Sequence, residues 1–465
     1  TYGVRETYRA GKILKSLLMG SSPGDGRPLD VRARNAFREM AGEIFDGISR
    51  SASPDLTLSN LSVLLGAHRF PEQFFTQLKE EGFRKLVLTV CGLSPRVAKG
   101  LAKDKLLMEL LASNAAALSE PWDGKKPRSL KLGELKAQEE TRACIRHLLG
   151  LSSFADFTAE LTRVADYVMA EGFRAECRSR SLTYPPLAVF AFGKYGTREL
   201  TLDADLDVVF IAGQKSRTVS DKLEKIASGV IQKLSAVSGG GRLYDVDARL
   251  RPEGKSAPLV VERSAYMTYL QERASLWERQ SLTRMRYVCG DEALADEVGE
   301  EVESFGYQTA LPSGWVDTIV AMRKKMETRS HTRSSEFFDI KLGAGGMVDI
   351  EFIAQMIQLK YGGSDSSLRR KPTEAVLAEA PAAVVSADVV KLLRDAYRYY
   401  RRLELMIRLT LEERGTVLAS GDKLELLAQV VDGSSAHDLR ARVASTMKVV
   451  RAQFLQICKS LSHPN

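Results

Sequence analysis

Apolar residues recur at three- and four-residue spacing along most of this 465-residue chain. That period lines them up on one stripe of a helix. It predicts helices over Val31–Ile48, Lys103–Leu111, Leu130–Leu149, Ser153–Arg178, Ser220–Val237, Ala265–Arg286, Trp315–Arg329, Gly346–Tyr361, Ala387–Glu413 and Ala436–Leu461. Between them the pattern changes. Short β-branched and aromatic runs at Leu187–Phe192, Leu206–Ala212 and Arg242–Leu250 predict three strands, the first entered through Pro185-Pro186. Gly239-Gly240-Gly241 stops the helix before the third strand, and the breaker-dense stretches Ser21–Pro28 and Glu120–Pro127 predict loops. The outline is α+β and mostly helical. It divides into a helical region over 1–125, a core with the small sheet over 126–310, and a helical bundle over 311–465.

Composition narrows the class. A hydrophobic fraction of 44% and a charged fraction of 27% are those of an ordinary globular protein. No run of eighteen apolar residues suits a membrane span, and Thr1–Glu6 carries no apolar signal core. The chain does not begin with Met, as expected of a processed chain or a fragment. Five cysteines and five histidines are scattered, without a C-x-x-C or an H-x-x-x-H pair. A disulfide framework and a zinc site are therefore not expected, a reducing cytoplasm fits, and any metal chemistry falls to carboxylates. The net charge of +8 suits nucleotides, nucleic acid or an acidic protein partner. Basic residues interleaved with aromatics are sparse outside Tyr397–Arg402, which reads more simply as a bundle helix, so nucleic acid is not the expected partner.

The chemistry concentrates in the predicted strands. Asp205 and Asp207 lie two residues apart, which in a strand puts both carboxylates on one face. A lone Asp-x-Asp is most often a solvent-facing strand edge. Here the third strand adds Asp247, Arg249 and Arg251 at alternate positions. Three carboxylates on neighbouring strands repel unless a cation sits among them. Hard oxygen donors suit Mg²⁺, and the two guanidiniums can grip phosphate oxygens bidentately. Gly193-Lys194-Tyr195-Gly196 follows the first strand directly, where glycine allows close backbone approach and Lys194 adds a positive charge. It lacks the spacing of a Walker P-loop.

The motifs in order read Gly193–Leu200, Asp205–Phe210, Val246–Gly254, Trp277–Arg286 and Asp339–Ile353. The set resembles the DNA polymerase β-type nucleotidyltransferase superfamily, and more narrowly the glutamine synthetase adenylyltransferases. That resemblance implies a polymerase β-like sheet flanked by helices, and one of two catalytic halves. Val87–Pro95 and Tyr244–Arg249 look more like the half that adds the adenylyl group. Gly343–Gly346 and Tyr397–Glu404 are closer to the half that removes it, and the balance favours adding. Ala204 stands where the family usually has Ser. Within the other motifs, Trp277 is expected to fill a helix core. Asp349 and Glu351, two apart on a helix, are expected to face different ways and receive no catalytic role.

The resemblance implies AMP transfer from ATP to a tyrosine of glutamine synthetase. In that scheme Asp205 and Asp207 hold two divalent ions, and Asp247 helps bind one of them and accepts the phenolic proton. Gly193 and Lys194 hold the β- and γ-phosphates, and Arg249 or Arg251 neutralises developing charge. Glutamine synthetase and the PII signalling protein are the implied partners. The alternatives are the removing direction, in which phosphate releases ADP from adenylyl-tyrosine, a half that only binds glutamine synthetase or a signalling protein, and an RNA nucleotidyltransferase.

Overall fold

The computed structural model describes residues 4, 7–18, 28–113, 118–126, 130–213, 217–238, 241–330 and 338–462. Most of the expected loop at 21–28 and the Gly239-Gly240 stop lie outside the described residues. Two compact units form. One comprises 1–125, 137–160 and 402–442, and the other 126–136, 161–401 and 443–465. Among the described residues no helix is long and apolar enough to cross a membrane.

The first unit is helical. Val31–Ser49 starts at Asp30, whose carboxylate accepts the Ala33 amide at 2.7 Å and so satisfies one of the open donors of the first turn. It buries Ala33, Phe37, Met40, Ile44 and Ile48, a single stripe at helical spacing. Pro95–Lys103 begins with Pro at its first turn, where the missing N–H costs nothing, and Ser94 caps it. The Ser94 hydroxyl also donates to the Leu409 carbonyl at 2.9 Å, tying segments remote in sequence.

The second unit holds the sheet. Strands β1 (Leu187–Ala191) and β2 (Leu206–Ala212) pair antiparallel. The two-residue strands β3 (Val237–Ser238) and β4 (Gly241–Arg242) form a separate antiparallel pair. β5 (Val246–Asp247) and β6 (Val260–Glu262) both run parallel to β2, and β7 (Arg286–Gly290) pairs antiparallel with β1. The order is β5-β2-β1-β7, with β6 also on β2. Ala188, Phe190, Phe192, Val209 and Ile211 face Tyr266, Leu270, Leu294 and Val298 in one core. The alternate residues Val189, Val208 and Phe210 are buried too, so both faces of these strands are covered. That is why β1 and β2 read as continuous apolar runs rather than alternating ones.

The expected third strand over 242–250 is corrected. Only Val246–Asp247 pairs with β2, at Leu206 and Asp207, and the chain rejoins the same strand at Val260, beside Phe210. Between them it leaves the sheet in a turn that carries Pro252, with Glu253 and Gly254 both at positive φ. Proline lacks the ladder donor and a left-handed pair bends the chain, so strand geometry cannot pass through. The expected helix over 265–286 is also corrected. It is two helices, Arg263–Glu272 and Leu276–Leu282, followed by β7. Ser275 and Glu278 form a capping box that starts the second helix. Trp277, expected in a core, is 44% exposed at its first turn. The remaining helices lie within a few residues of where the periodicity put them, as at Trp315–Ser330 and Met347–Tyr361.

Candidate active site

Parallel pairing puts Asp207 of β2 directly opposite Asp247 of β5. Asp205 sits just before β2 and is exposed. Asp207 is where charge is least tolerated. Burial first, then the nearby charges of Asp247 and Asp205, push its acid up to about 7. Asp247 goes the other way. Its carboxylate accepts the Arg249 side chain through Nε at 2.8 and 2.7 Å and through Nη2, together with the Arg249 amide at 2.9 Å, and these bonds hold its acid below the usual range. Arg249 therefore meets Asp247 from the turn after β5, not along a strand face. Among the described residues, no three His, Cys, Asp or Glu side chains already converge as a metal cage. The donor set nonetheless suits a hard divalent cation: two carboxylates opposed in register, a third two residues upstream, and a half-buried member whose charge is disfavoured.

Arg251, which the resemblance places at phosphate, staples the turn in this structure. Its guanidinium donates to the carbonyls of Pro258 at 2.9 Å, Ala257 at 3.1 Å, and Ala248. Arg251→Ala should cost about 1.5–3 kcal/mol by releasing hydrogen bonds from a charged donor, read as a lower urea midpoint. An unchanged midpoint would show that the turn holds without it.

Gly193 opens a four-residue helical turn at φ +56. A Cβ there would stand 2.6 Å from Asp207 Oδ2, so only glycine lets the turn sit against the carboxylate. At Gly196 a Cβ would strike the Arg284 carbonyl at 1.7 Å. Arg286 holds the turn from behind, donating to the carbonyls of Gly196 and Tyr195 at 3.1 Å each while pairing both nitrogens with Asp166 at 2.9 and 3.0 Å. Arg286 is not among the residues that spacing alone singles out. Its position at the end of the Trp277–Arg286 motif was the available signal.

Lys194 does not project freely beside Gly193. Its ammonium lies 3.3 Å from Glu351 Oε1 and 3.2 Å from Met347 Sδ, and the two charged side chains are only 14% and 10% exposed. Glu351 also faces Arg284 at 3.6 Å. Burial alone would raise the Glu351 acid, but the charges of Lys194, Arg284, Lys341 and Arg401 hold it at about 2. Asp349 faces elsewhere, as the two-residue offset required. It pairs with Arg323 at 2.5 Å and Arg451 at 3.1 Å, and accepts the Gly345 amide at 2.8 Å. Tyr397 and Arg401 are buried, and both donate to Glu199, at 2.9 Å to its carboxylate and 2.5 Å to its carbonyl. Tyr397, Tyr400 and Arg401 are thus the buried face of a helix, Ala387–Thr410.

The Asp339–Gly346 segment closes this side of the site. Asp339 Oδ1 accepts the amides of Lys341 and Leu342 at 2.9 and 3.0 Å. Arg323 and Tyr400 donate to the carbonyls of Gly343 and Gly345 at 2.8 Å each. At Gly345 a Cβ would strike the Met447 carbonyl at 1.8 Å, so a side chain is excluded there.

Two family models match parts of this chain, and several curated proteins are similar to it. Residues 84–301 match a family model described as glutamate-ammonia ligase adenylyltransferase, and 319–458 match one described as GlnD PII-uridylyltransferase. The chain is similar to several proteins named bifunctional glutamine synthetase adenylyltransferase/adenylyl-removing enzyme. That of Cutibacterium acnes is 34% identical over 305 residues, covering 63% of this chain and 31% of the relative. That of Caulobacter vibrioides is 26% identical over 459 residues, covering 92% and 46%. That of Bradyrhizobium sp. BTAi1 is 25% identical over 492 residues, covering 98% and 49%. The class these findings define is the nucleotidyltransferases. Within it, residues 84–301 are similar to the glutamate-ammonia ligase adenylyltransferases. It spans about half the length, or less, of the curated relatives it matches.

Proposed function

We propose that this chain is a catalytic half that transfers AMP from Mg²⁺–ATP to a tyrosine hydroxyl of glutamine synthetase. The observation that carries the reading is the in-register opposition of Asp207 and Asp247 beside the Gly193 turn. Asp205, Asp207 and Asp247 would hold the divalent ions, which when bound supply charge neutralisation at the phosphate oxygens. The tyrosine oxygen bonds to the α-phosphorus as the bridge to the β-phosphate breaks, and pyrophosphate leaves with the electron pair. Asp247 takes the phenolic proton, and the Gly193 turn lets the polyphosphate approach the backbone. Regulation by a PII signalling protein and a cytoplasmic setting belong to the same proposal, and rest on the family resemblance and on the burial of the five cysteines.

The test is transfer of label. With Mg²⁺, α-labelled ATP and unmodified glutamine synthetase, label should appear on the synthetase in proportion to time. The relatives' printed name pairs adding with removing, so a parallel reaction supplies adenylylated synthetase and phosphate. ADP formed there, with no label in the first reaction, would assign the removing direction instead.

Arg249 bears on the cation proposal directly. It occupies Asp247 from an exposed position, so Arg249→Ala should tighten Mn²⁺ binding several-fold in a calorimetric titration. Unchanged affinity would remove Asp247 from the ligand set.

A further inference from the structure

Lys194 is neutralised by a buried carboxylate, and Arg251 is spent on carbonyls. The site therefore needs another cation for the negative charge of a triphosphate. One candidate comes from a motif with no role so far, Asp339-Ile340-Lys341. Three observations single out Lys341. First, the segment is fixed. Its carbonyls and amides are held by Arg323, Tyr400, Asp339 and Asp349, and the amides of Met347 and Val348 close back on the carbonyls of Ile340 and Lys341 at 2.8 and 3.1 Å. Second, it is seated at the site. Lys194 touches both Met347 and Glu351 at the start of the helix that follows Lys341, while Gly193 of the same turn abuts Asp207. Third, among the described residues Lys341 closes no ion pair, although its side chain is half-buried. The carboxylates nearest its environment already have other partners or await a cation. Glu351 faces Lys194 and Arg284, and Asp339 caps the segment's own amides.

We propose that Lys341 is the cation that binds the polyphosphate of the nucleotide, presented on a rigid loop across from Asp207, and that Lys194 is a positioning residue locked to Glu351. An ammonium fits this role as a compact point charge with three donors, and its hydrogen bonds to phosphate are charge-assisted. A rigid presentation lowers the ordering that binding requires. This inference rests on the adenylyl-transfer reading, since it assumes a nucleoside triphosphate beside Asp207.

The experiment is calorimetric titration of the full chain with Mg²⁺–ATP and, separately, with AMP, using wild type, Lys341→Met, Lys341→Arg and Lys194→Met. Lys341→Met should weaken ATP by about tenfold or more, the loss of one charge-assisted contact, and AMP by less than about twofold. Lys341→Arg should recover most of the ATP affinity. Lys194→Met should lower the melting temperature more than Lys341→Met does, because it leaves buried Glu351 short of a partner. Circular dichroism and melting of Lys341→Met should match wild type. Lys341→Met with wild-type ATP affinity, or with equal losses for ATP and AMP, would overturn the assignment. Wild type that binds no Mg²⁺–ATP would instead sink the adenylyl-transfer reading itself.

Discussion

Asp207→Asn is expected to lower AMP transfer by about 10²–10³-fold or more while making the metal-free chain more stable above neutral pH. Both effects have one cause. Asp207 is packed against the Gly193 turn and opposite Asp247, so its charge is useful only when a cation accompanies it. Without one, burial and then the charges of Asp247 and Asp205 raise its acid from 3.8 to about 7. Between those values the folded chain keeps a proton that the unfolded chain has already released. Stability therefore falls as pH rises through that window. Each unit of displacement is worth about 1.4 kcal/mol, so the loss reaches a few kcal/mol by pH 8. Asparagine does not titrate. Scanning calorimetry in chelator at pH 5 and pH 8 should show the melting temperature of wild type falling more than that of Asp207→Asn. Added Mg²⁺ should narrow the gap at pH 8. Parallel pH profiles for the two proteins would mean that Asp207 is not under this strain. Full transfer activity in a folded Asp207→Asn would remove it from the reaction.

Asp349→Ala carries the largest expected stability cost, about 3–5 kcal/mol. Asp349 and Arg323 are both fully buried and pair at 2.5 Å. Removing the carboxylate leaves the Arg323 guanidinium in the interior without its main counter-charge, and takes one partner from Arg451. The same carboxylate accepts the Gly345 amide, so the Asp339–Gly346 loop loses a clamp as well. Urea unfolding should show the drop, and nucleotide affinity should weaken with it because Lys341 is then less well held. Asp349→Asn, which keeps the shape and some hydrogen bonding, should cost less. An Asp349→Ala variant as stable as wild type would show that the pair can be dissolved by local rearrangement.

Much of this was legible in the sequence because it is local. β2 begins and ends where its apolar run does, and most helices follow their three-to-four-residue stripes. The acidic pair and the glycine turn also announced themselves through spacing. What failed was pattern without backbone. Asp247, Arg249 and Arg251 alternate as a strand would, yet Glu253 and Gly254 at positive φ bend the chain away after Asp247. Trp277 has the spacing of a core residue, but it falls on the first turn of a short helix, where its face is open. β6 has only three residues, and β7, as long as β1, was hidden by the helical spacing that leads into it. The charge pairing was out of reach for another reason. Lys194 and Glu351 are distant in sequence, and only folding showed that a buried carboxylate had claimed the lysine while Lys341 stayed unclaimed.

The most direct measurement is a crystal structure of the chain with Mn²⁺ and a non-transferable ATP analogue, read by anomalous scattering. A manganese peak is expected between Asp207 and Asp247, with Asp247 drawn off Arg249 and the Lys341 ammonium on the polyphosphate. Nucleotide bound elsewhere, or no peak with the Asp247–Arg249 pair intact at saturating Mn²⁺, would contradict it.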